Sequence, residues 1–390
     1  MLDLTEFKSI SPYTDEEAVV ALGKLADHPL LSQFSLMFFP DQAPDFLEGV
    51  FKSLKSIDQF QELVMSRFVE WVLEHTVTEF TYEGIENIDP EKRFLVLSNH
   101  RDIIFDPAIT QLVLFRNNIP LTEIAVGDNL VSSDTIEYLL RSNRMIKVVR
   151  GITARELYLS SQMLSKYIRV NVTNQRSSIW LAQRQGRTKN GYDTTEQGLL
   201  KMLDMSGSTD FQKNFEELNI TPMSISYEYE PCDILKAREL LISRTQKYVK
   251  AEGEDLNSIV TGIMQPKGDI HLQICKPLTS EEIAAAAECD KNERYQVIRR
   301  AIDRRVIEGY KLHKNNYIAF DLKSEAPKYA HMYEQADLEK FKAYMQIQLD
   351  KVEPEVDREE LKDVFLDIYA NPVVTKELLE QEKLTGQDLL

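Results

Sequence analysis

RFLVLSNHRDIIFDP, residues 93–107, decides how the rest of the chain reads. Phe94, Leu95, Val96 and Leu97 form an unbroken apolar run that stops at Ser98-Asn99. A short apolar run between turn formers fits a strand buried on both faces, as in a parallel sheet. Asp106-Pro107 then signals a helix start, because Asp is a strong N-cap and Pro suits the first helical position. His100, Arg101 and Asp102 lie between strand end and helix start, where open α/β sheets bind their ligands. A histidine there, with carboxylates two and six residues later, is a candidate general base with an orienting partner.

Outward from this stretch the chain alternates strand and helix signals. Short apolar runs recur at 121–126, 145–149, 178–182, 222–227, 270–275 and 316–320. Helical patterns fill the gaps at 108–115 and at 154–168, where Thr153 and Glu156 form a capping box and Leu157, Leu164 and Ile168 share a face. A further single helix is expected over 281–312. This alternation predicts an α/β fold with a mixed, largely parallel sheet flanked by helices. Three regions follow: an N-terminal helical region, 1–85; an α/β domain, 86–322; and a C-terminal helical tail, 323–390. In the first, Phe60, Leu63, Val64, Phe68, Trp71 and Val72 make one apolar face, and His75 continues it as a packed core residue. The aromatic segment 34–51 is expected to pack against the α/β domain, with a membrane or acyl-chain contact as the alternative. In the tail, Leu338, Phe341, Met345 and Leu349 form one stripe and Leu361, Val364, Phe365 and Ile368 another, with Pro354 between them.

With 390 residues, 43 % hydrophobic and 28 % charged, the chain has the balance of a globular protein with a sizeable core. A formal charge of −17 argues against nucleic acid as a partner. There is no 18-residue apolar run for a transmembrane helix and no secretory signal at MLDLTEFKS. Cys232, Cys275 and Cys289 are odd in number, lack CxxC spacing and read as reduced thiols, with no metal site implied. The remaining histidines, His28, His271, His313 and His331, form no ligand pattern. Against this acidic background, residues 141–189 hold eleven Lys and Arg and one acid, Glu156. Such a segment suggests an anionic ligand met locally, a solvated basic face being the plainer alternative.

His-Arg-Asp at 100–102 has the order of the protein-kinase catalytic loop, but Pro107 stands where that loop needs Asn, and no Asp-Phe-Gly or Gly-rich loop accompanies it. Walker A, GxSxG and HExxH sequences are also missing. Three further stretches complete a set with SNHRDIIFD. MIKVVRG (145–151) is a strand ending in Arg150-Gly151. SIWLAQRQGRTKNG (178–191) runs a strand into Gln185-Gly186-Arg187-Thr188-Lys189, a cation-rich glycine turn whose amides and guanidinium suit a phosphate. TPMSISYEYEP (221–231) is a strand with Pro222 at its start.

In this order the four stretches resemble the four blocks of the glycerolphosphate acyltransferase / 1-acylglycerol-phosphate acyltransferase (lysophospholipid acyltransferase) superfamily of bacteria, over about residues 93–230. The family pattern is His with Asp five positions later (HX4D), a strand ending in Arg, Glu-Gly-x-Arg, and a strand begun by Pro. The resemblance implies direct transfer of a fatty acyl group from a thioester to a hydroxyl. His100 would take the hydroxyl proton and Asp106 would orient its imidazole. Arg150, Gly186, Arg187 and Lys189 would bind the acceptor's phosphate. The donor would be acyl-CoA or acyl carrier protein, the acceptor glycerol 3-phosphate or a lysophospholipid, and no metal or other cofactor is implied. The implied setting is cytoplasmic, peripheral to the inner face of the cell membrane, with the 141–189 segment available to dock an acidic carrier protein.

Two positions depart from the pattern. Asp106 follows His100 by six residues (HX5D), and one extra residue in a continuous helix would rotate the side chain by about 100°. The pair therefore requires the added residue to sit in the turn before the helix, with Asp102 as the competing partner. Gln185 replaces the family's Glu, keeping hydrogen-bonding capacity without the charge. These departures keep two alternatives open: an O-acyltransferase acting on an amino-lipid, and a lipid- or phosphate-binding homologue without catalysis.

Overall fold

The computed structural model describes residues 5–131, 133–150 and 153–385. Gly151, the end of the second motif, lies outside the described residues. Seven strands form one sheet: β1 (Val77–Glu83), β2 (Leu95–Ser98), β3 (Glu123–Gly127), β4 (Met145–Val148), β5 (Ile179–Ala182), β6 (Ile220–Tyr227) and β7 (Gly268–Ile274). Their order is β1-β7-β6-β2-β5-β3-β4. The five strands from β6 to β4 run parallel, whereas β7 is antiparallel to β6 and parallel to β1. The sheet is therefore mixed, largely parallel and covered by helices, as its apolar runs required.

β2 lies in the interior because every one of its residues is buried. Leu95 and Leu97 join Ile179, Leu181 and Ile220 on one face, under the helices Ala154–Thr173 and Glu293–Gly309. Val96 faces the other way, with Trp180, Met223 and Ile225, against the helices Ser66–Thr76 and Phe105–Arg116. Burying such a side chain stabilises by roughly 1.5–3 kcal/mol, so a one-residue slip of β2 would exchange the two faces at heavy cost. The chain leaves β2 towards β3 and β4, returns to place β5 between β2 and β3, and then puts β6 on the far side of β2. The carboxyl end of β2 thus lies between the ends of β5 and β6, a place where such sheets open a crevice.

Four expectations are corrected. The region 1–85 is not wholly helical, because VTEFTYE forms β1; its β-branched and aromatic residues favour a pleated, half-buried edge. The run at 316–320 is part of the helix Lys314–Lys323, where Ile318 and Ala319 are buried, and so short an apolar run does not by itself distinguish strand from helix. The helix expected over 281–312 is two, Ser280–Ala287 and Glu293–Gly309. They part where the Asp290 carboxylate accepts from the Asn292 and Glu293 amides and starts the second helix. His75 is exposed rather than packed in the core, stacked on Trp71 at 4.2 Å.

Phe38, Phe39, Leu47 and Phe51 of the aromatic segment are buried in an N-terminal cluster with Leu22 and Phe60, while Phe34, Leu36 and Met37 remain exposed. No helix among the described residues is long and apolar enough to cross a membrane. The tail forms helices Gln335–Leu349 and Arg358–Thr385, whose stripes pack with Ile234 and Ile318.

The tail also grips the loop after β5. Asn371 donates to the Asn190 carbonyl at 2.7 Å. Next to it Gly191 has φ +82°, and a Cβ there would lie 2.5 Å from the Ile368 carbonyl, so only glycine permits the approach. Asp233 makes a second attachment: its buried carboxylate accepts from the hydroxyls of Tyr344 at 2.7 Å and Tyr369 at 2.6 Å. Burial outweighs these bonds and pushes the Asp233 carboxyl up to about 6. A carboxyl whose folded value is raised contributes stability that is full below its unfolded value and is lost as pH rises through the folded one. Relative to Asp233→Asn, the wild-type protein should therefore lose on the order of 3 kcal/mol between about pH 4 and pH 7. Urea unfolding of both proteins across that range measures the gap, and a gap that does not change with pH would refute the assignment.

Candidate active site

The site begins where β2 runs out. Asn99 carries on the pairing with β6 through its side chain: Oδ1 accepts from the Ile225 amide at 2.8 Å and Nδ2 donates to the Ile225 carbonyl at 2.9 Å. His100 follows, its ring centroid 5.7 Å from that of Trp180 of β5 in a T-shaped contact. Ile103 and Ile104 make a turn before the helix Phe105–Arg116 begins. The extra residue of the HX5D spacing is thus taken up outside the helix, and Asp106 sits in its first turn.

His100 Nδ1 and Asp106 Oδ2 are 2.9 Å apart. The same oxygen accepts from the backbone amides of Arg101 at 2.5 Å and Asp102 at 2.9 Å. The other oxygen, Oδ1, accepts from the Tyr227 hydroxyl at 2.6 Å. An acceptor facing Nδ1 assigns the imidazole proton to that nitrogen and leaves Nε2 as a lone pair. The side chain of His100 is 15 % exposed and that of Asp106 1 %, so the histidine is the member of the pair that a reactant can reach.

Asp106 was expected to cap the helix; it lies inside the first turn instead, after Ile104 at the cap position, and Asp102 closes the turn that leads into the helix. Asp102 Oδ1 accepts from the amides of Ile104 at 2.9 Å and Phe105 at 2.7 Å, a local side-chain to backbone turn. Asp102 is therefore committed to the turn and makes no hydrogen bond to His100.

Arg101, between them, points into the protein. Its guanidinium is fully buried and meets Asp193 at 2.6 Å, Glu230 at 3.2 Å and the Gly191 carbonyl at 3.2 Å. Burial opposes the charge, but Asp193 and Glu230 hold the guanidinium well above its usual range. Lys236, equally buried, bridges the Arg101 carbonyl at 2.7 Å and Glu230 at 2.6 Å. Two cations and two carboxylates from four segments of chain thus hold the His100 loop from behind.

The cation-rich loop after β5 is drawn over the same place: the Thr188 amide donates to the His100 carbonyl at 2.7 Å. Gly186 adopts φ +74° with open space where a Cβ would be. Gln185 is exposed, and its amide donates to the Glu196 carboxylate at 3.2 Å. Arg187 lies near Cys232 and Asp255, and its Nη1 has no hydrogen-bond partner among the described residues. Lys189 is ion-paired with Glu239. Arg150 is exposed at the end of β4, its amide bonded to Asp128 at 3.2 Å and its guanidinium near Gly127. The structure therefore brings His100, Asp106 and the Gly186–Thr188 turn together, and places Arg150 at the same edge of the sheet with two strands, β5 and β3, between β4 and β2.

The basic segment is less available than its sequence suggests. Arg141 and Lys147 pair with Glu137, Arg144 with Asp58, Lys166 with Glu6 and Arg169 with Glu217. With Lys189 these account for six of its eleven cations. Cys232 and Cys275 are buried free thiols, and burial pushes them up to about 11 and about 12. Sequence reasoning missed Asn99, Tyr227 and the Arg101–Asp193–Glu230–Lys236 cluster. A tyrosine closing the Pro-started strand was a visible signal; acids 92 and 129 residues from Arg101 were not.

No family model and no curated protein matches this chain. Among solved structures it is similar to the crystal structure of the 1-acyl-sn-glycerophosphate (LPA) acyltransferase, PlsC, from Thermotoga maritima. That match has 12 % sequence identity and a TM-score of 0.39, over 75 % of this chain and 95 % of the other. A likeness at this level transfers no residue roles.

Removing the buried cation should separate the stabilising cluster from the surface arginines. Arg101→Leu takes the counter-charge from buried Asp193, which keeps only a neutral donor in the Asn99 amide at 2.9 Å, and leaves Glu230 to Lys236, so it should cost about 3 kcal/mol or more in urea unfolding. Arg150→Ala, at the exposed edge, should stay within about 0.5 kcal/mol. Equal effects would contradict the burial described here.

Proposed function

We propose that this protein is an acyltransferase that moves a fatty acyl group from a thioester to an alcohol. The observation that carries this reading is the His100–Asp106 pair at 2.9 Å, at the carboxyl end of the central strand. The motif stretches named above support it: SNHRDIIFD, KVVR, QGRTK and TPMSISYE belong to the strands β2, β4, β5 and β6 or to the turns at their carboxyl ends.

His100 Nε2 removes the proton as the acceptor hydroxyl attacks the thioester carbonyl. The C–O bond forms and the carbonyl electrons move onto oxygen, giving a tetrahedral oxyanion. That intermediate collapses, the C–S bond breaks, and the departing thiolate takes the proton from His100. Asp106 keeps Nδ1 protonated and favours the imidazolium while it carries the second proton. General-base catalysis of this kind contributes typically about 10²–10⁴-fold.

For the acceptor we infer an alcohol bearing an anionic group, glycerol 3-phosphate or a lysophospholipid, held by Arg150 and by the Gly186–Arg187 turn. The donor would be acyl-CoA or acyl carrier protein, with lipid met at a membrane surface. Lys189 would take part only by leaving Glu239. That pairing, with Gln185 in place of an acid, favours a second reading in which the acceptor is an amino-lipid hydroxyl and phosphate is not required.

Thiol release from palmitoyl-CoA and from an acyl carrier protein thioester tests both readings, with glycerol 3-phosphate, lysophosphatidic acid and an amino-lipid as acceptors. Acceptor-dependent release should fall by about 10²-fold or more in His100→Ala. Lipid binding without release in the wild type would make the protein a binding homologue and sink the enzyme reading.

A further inference from the structure

We propose that Tyr227 is a positioning residue for this reaction: its buried hydroxyl fixes the Asp106 carboxylate and, through it, the orientation and basicity of His100. The proposal rests on the acyl-transfer reading above and deepens it.

β6 is buried along its whole length, and its side chains alternate between the two faces of the sheet. Met223, Ile225 and Tyr227 fall on the face covered by the helix Phe105–Arg116. Residue 227 is the last of the strand, so its ring extends beneath the first turn of that helix, and the hydroxyl meets Asp106 Oδ1 at 2.6 Å. The division of labour at the carboxylate gives this bond its importance. Oδ2 takes His100 Nδ1 and the amides of Arg101 and Asp102. Among the described residues Tyr227 is the donor to Oδ1. Rotation about Cβ–Cγ of an aspartate is soft, so a donor on each oxygen decides which one faces the imidazole. It also draws charge from the carboxylate that His100 would otherwise feel in full.

The hydroxyl can serve as a donor at any assay pH, because burial and the adjacent Asp106 hold the phenol well above the usual tyrosine range. The charged groups around it are Asp106 on the helix, Asp102 in the turn and Glu230 beyond the strand. Asp102 is faced by Lys267, and Glu230 by Arg101 and Lys236. All of these other than Asp106 are already engaged in contacts that a change at the phenol oxygen leaves in place.

Tyr227→Phe keeps the ring and deletes the donor. Without it the carboxylate attracts the imidazolium more strongly, so His100 holds its proton to higher pH. The acid limb of the kcat profile should move up, kcat should fall roughly tenfold, and KM should hold within about twofold. Fluorotyrosine at position 227, a stronger donor of nearly the same shape, should move the limb in the opposite direction. A role in packing alone would leave both limbs where they are in the wild type. An unmoved limb in Tyr227→Phe, with His100→Ala inactive, overturns the proposal and spares the acyl-transfer reading; an active His100→Ala overturns that reading itself. Should Tyr227→Phe not fold, the fluorotyrosine protein, which retains the hydroxyl, still decides through its own limb.

Discussion

One buried carboxylate organises this molecule's candidate chemistry. Asp106 accepts from two backbone amides, an imidazole and a phenol, each at 2.9 Å or less. Hydrogen bonds to a carboxylate are individually worth more than neutral ones, and a buried acceptor left unsatisfied is costly. The four donors come from the turn after β2 and from the end of β6, so the carboxylate ties adjacent strands together at the point where the sheet opens. The path of residues 100–105 follows from this requirement: the backbone must curl around Asp106 to present two amides to one oxygen.

Behind that turn lies a second constraint. Arg101 and Lys236 are almost completely removed from water, and Asp193 and Glu230 accompany them there. Such a cluster adds little net stability, yet it penalises strongly any arrangement that breaks it. It therefore narrows the conformations open to the loop bearing His100. The C-terminal helices enter the same arrangement through Asn371, which holds Asn190, and Tyr369, whose hydroxyl accepts from the Glu230 amide at 3.0 Å. The tail is thus a wall of the site's support and not an appendage. Its position sets the loop after β5, and that loop reaches His100 through Thr188.

The distribution of charge shows how far composition can mislead about a surface. Residues 141–189 are strongly basic in sequence, but the fold sets Glu6, Asp58, Glu137, Glu217 and Glu239 against them. Of the cations left without an acidic partner among the described residues, Arg150, Arg184 and Arg187 lie just past the ends of β4 and β5, while Arg155 and Arg176 lie elsewhere. Ligand recognition there would depend on a few cations at one edge rather than on a broad field.

The sequence by itself determined the sheet's interior strands, the place of His100 at the end of one of them and the two tail helices, because these depend on local periodicity. An apolar run such as Phe94–Leu97 between turn formers favours a strand buried on both faces, and Pro354 falls between the two tail helices. The HX5D spacing could be stated from the sequence but not resolved, since the answer depended on whether the turn at Ile103-Ile104 preceded the helix. Strand β1 and the helix at 314–323 were misread for the same kind of reason: short segments take their state from neighbours far along the chain. Only the tertiary structure decided that Arg101 is buried, that Asp102 closes the turn before the helix while Asp106 meets His100, and that Tyr227 completes the carboxylate. Each of those outcomes depends on partners brought together by strand order, and no local pattern records strand order.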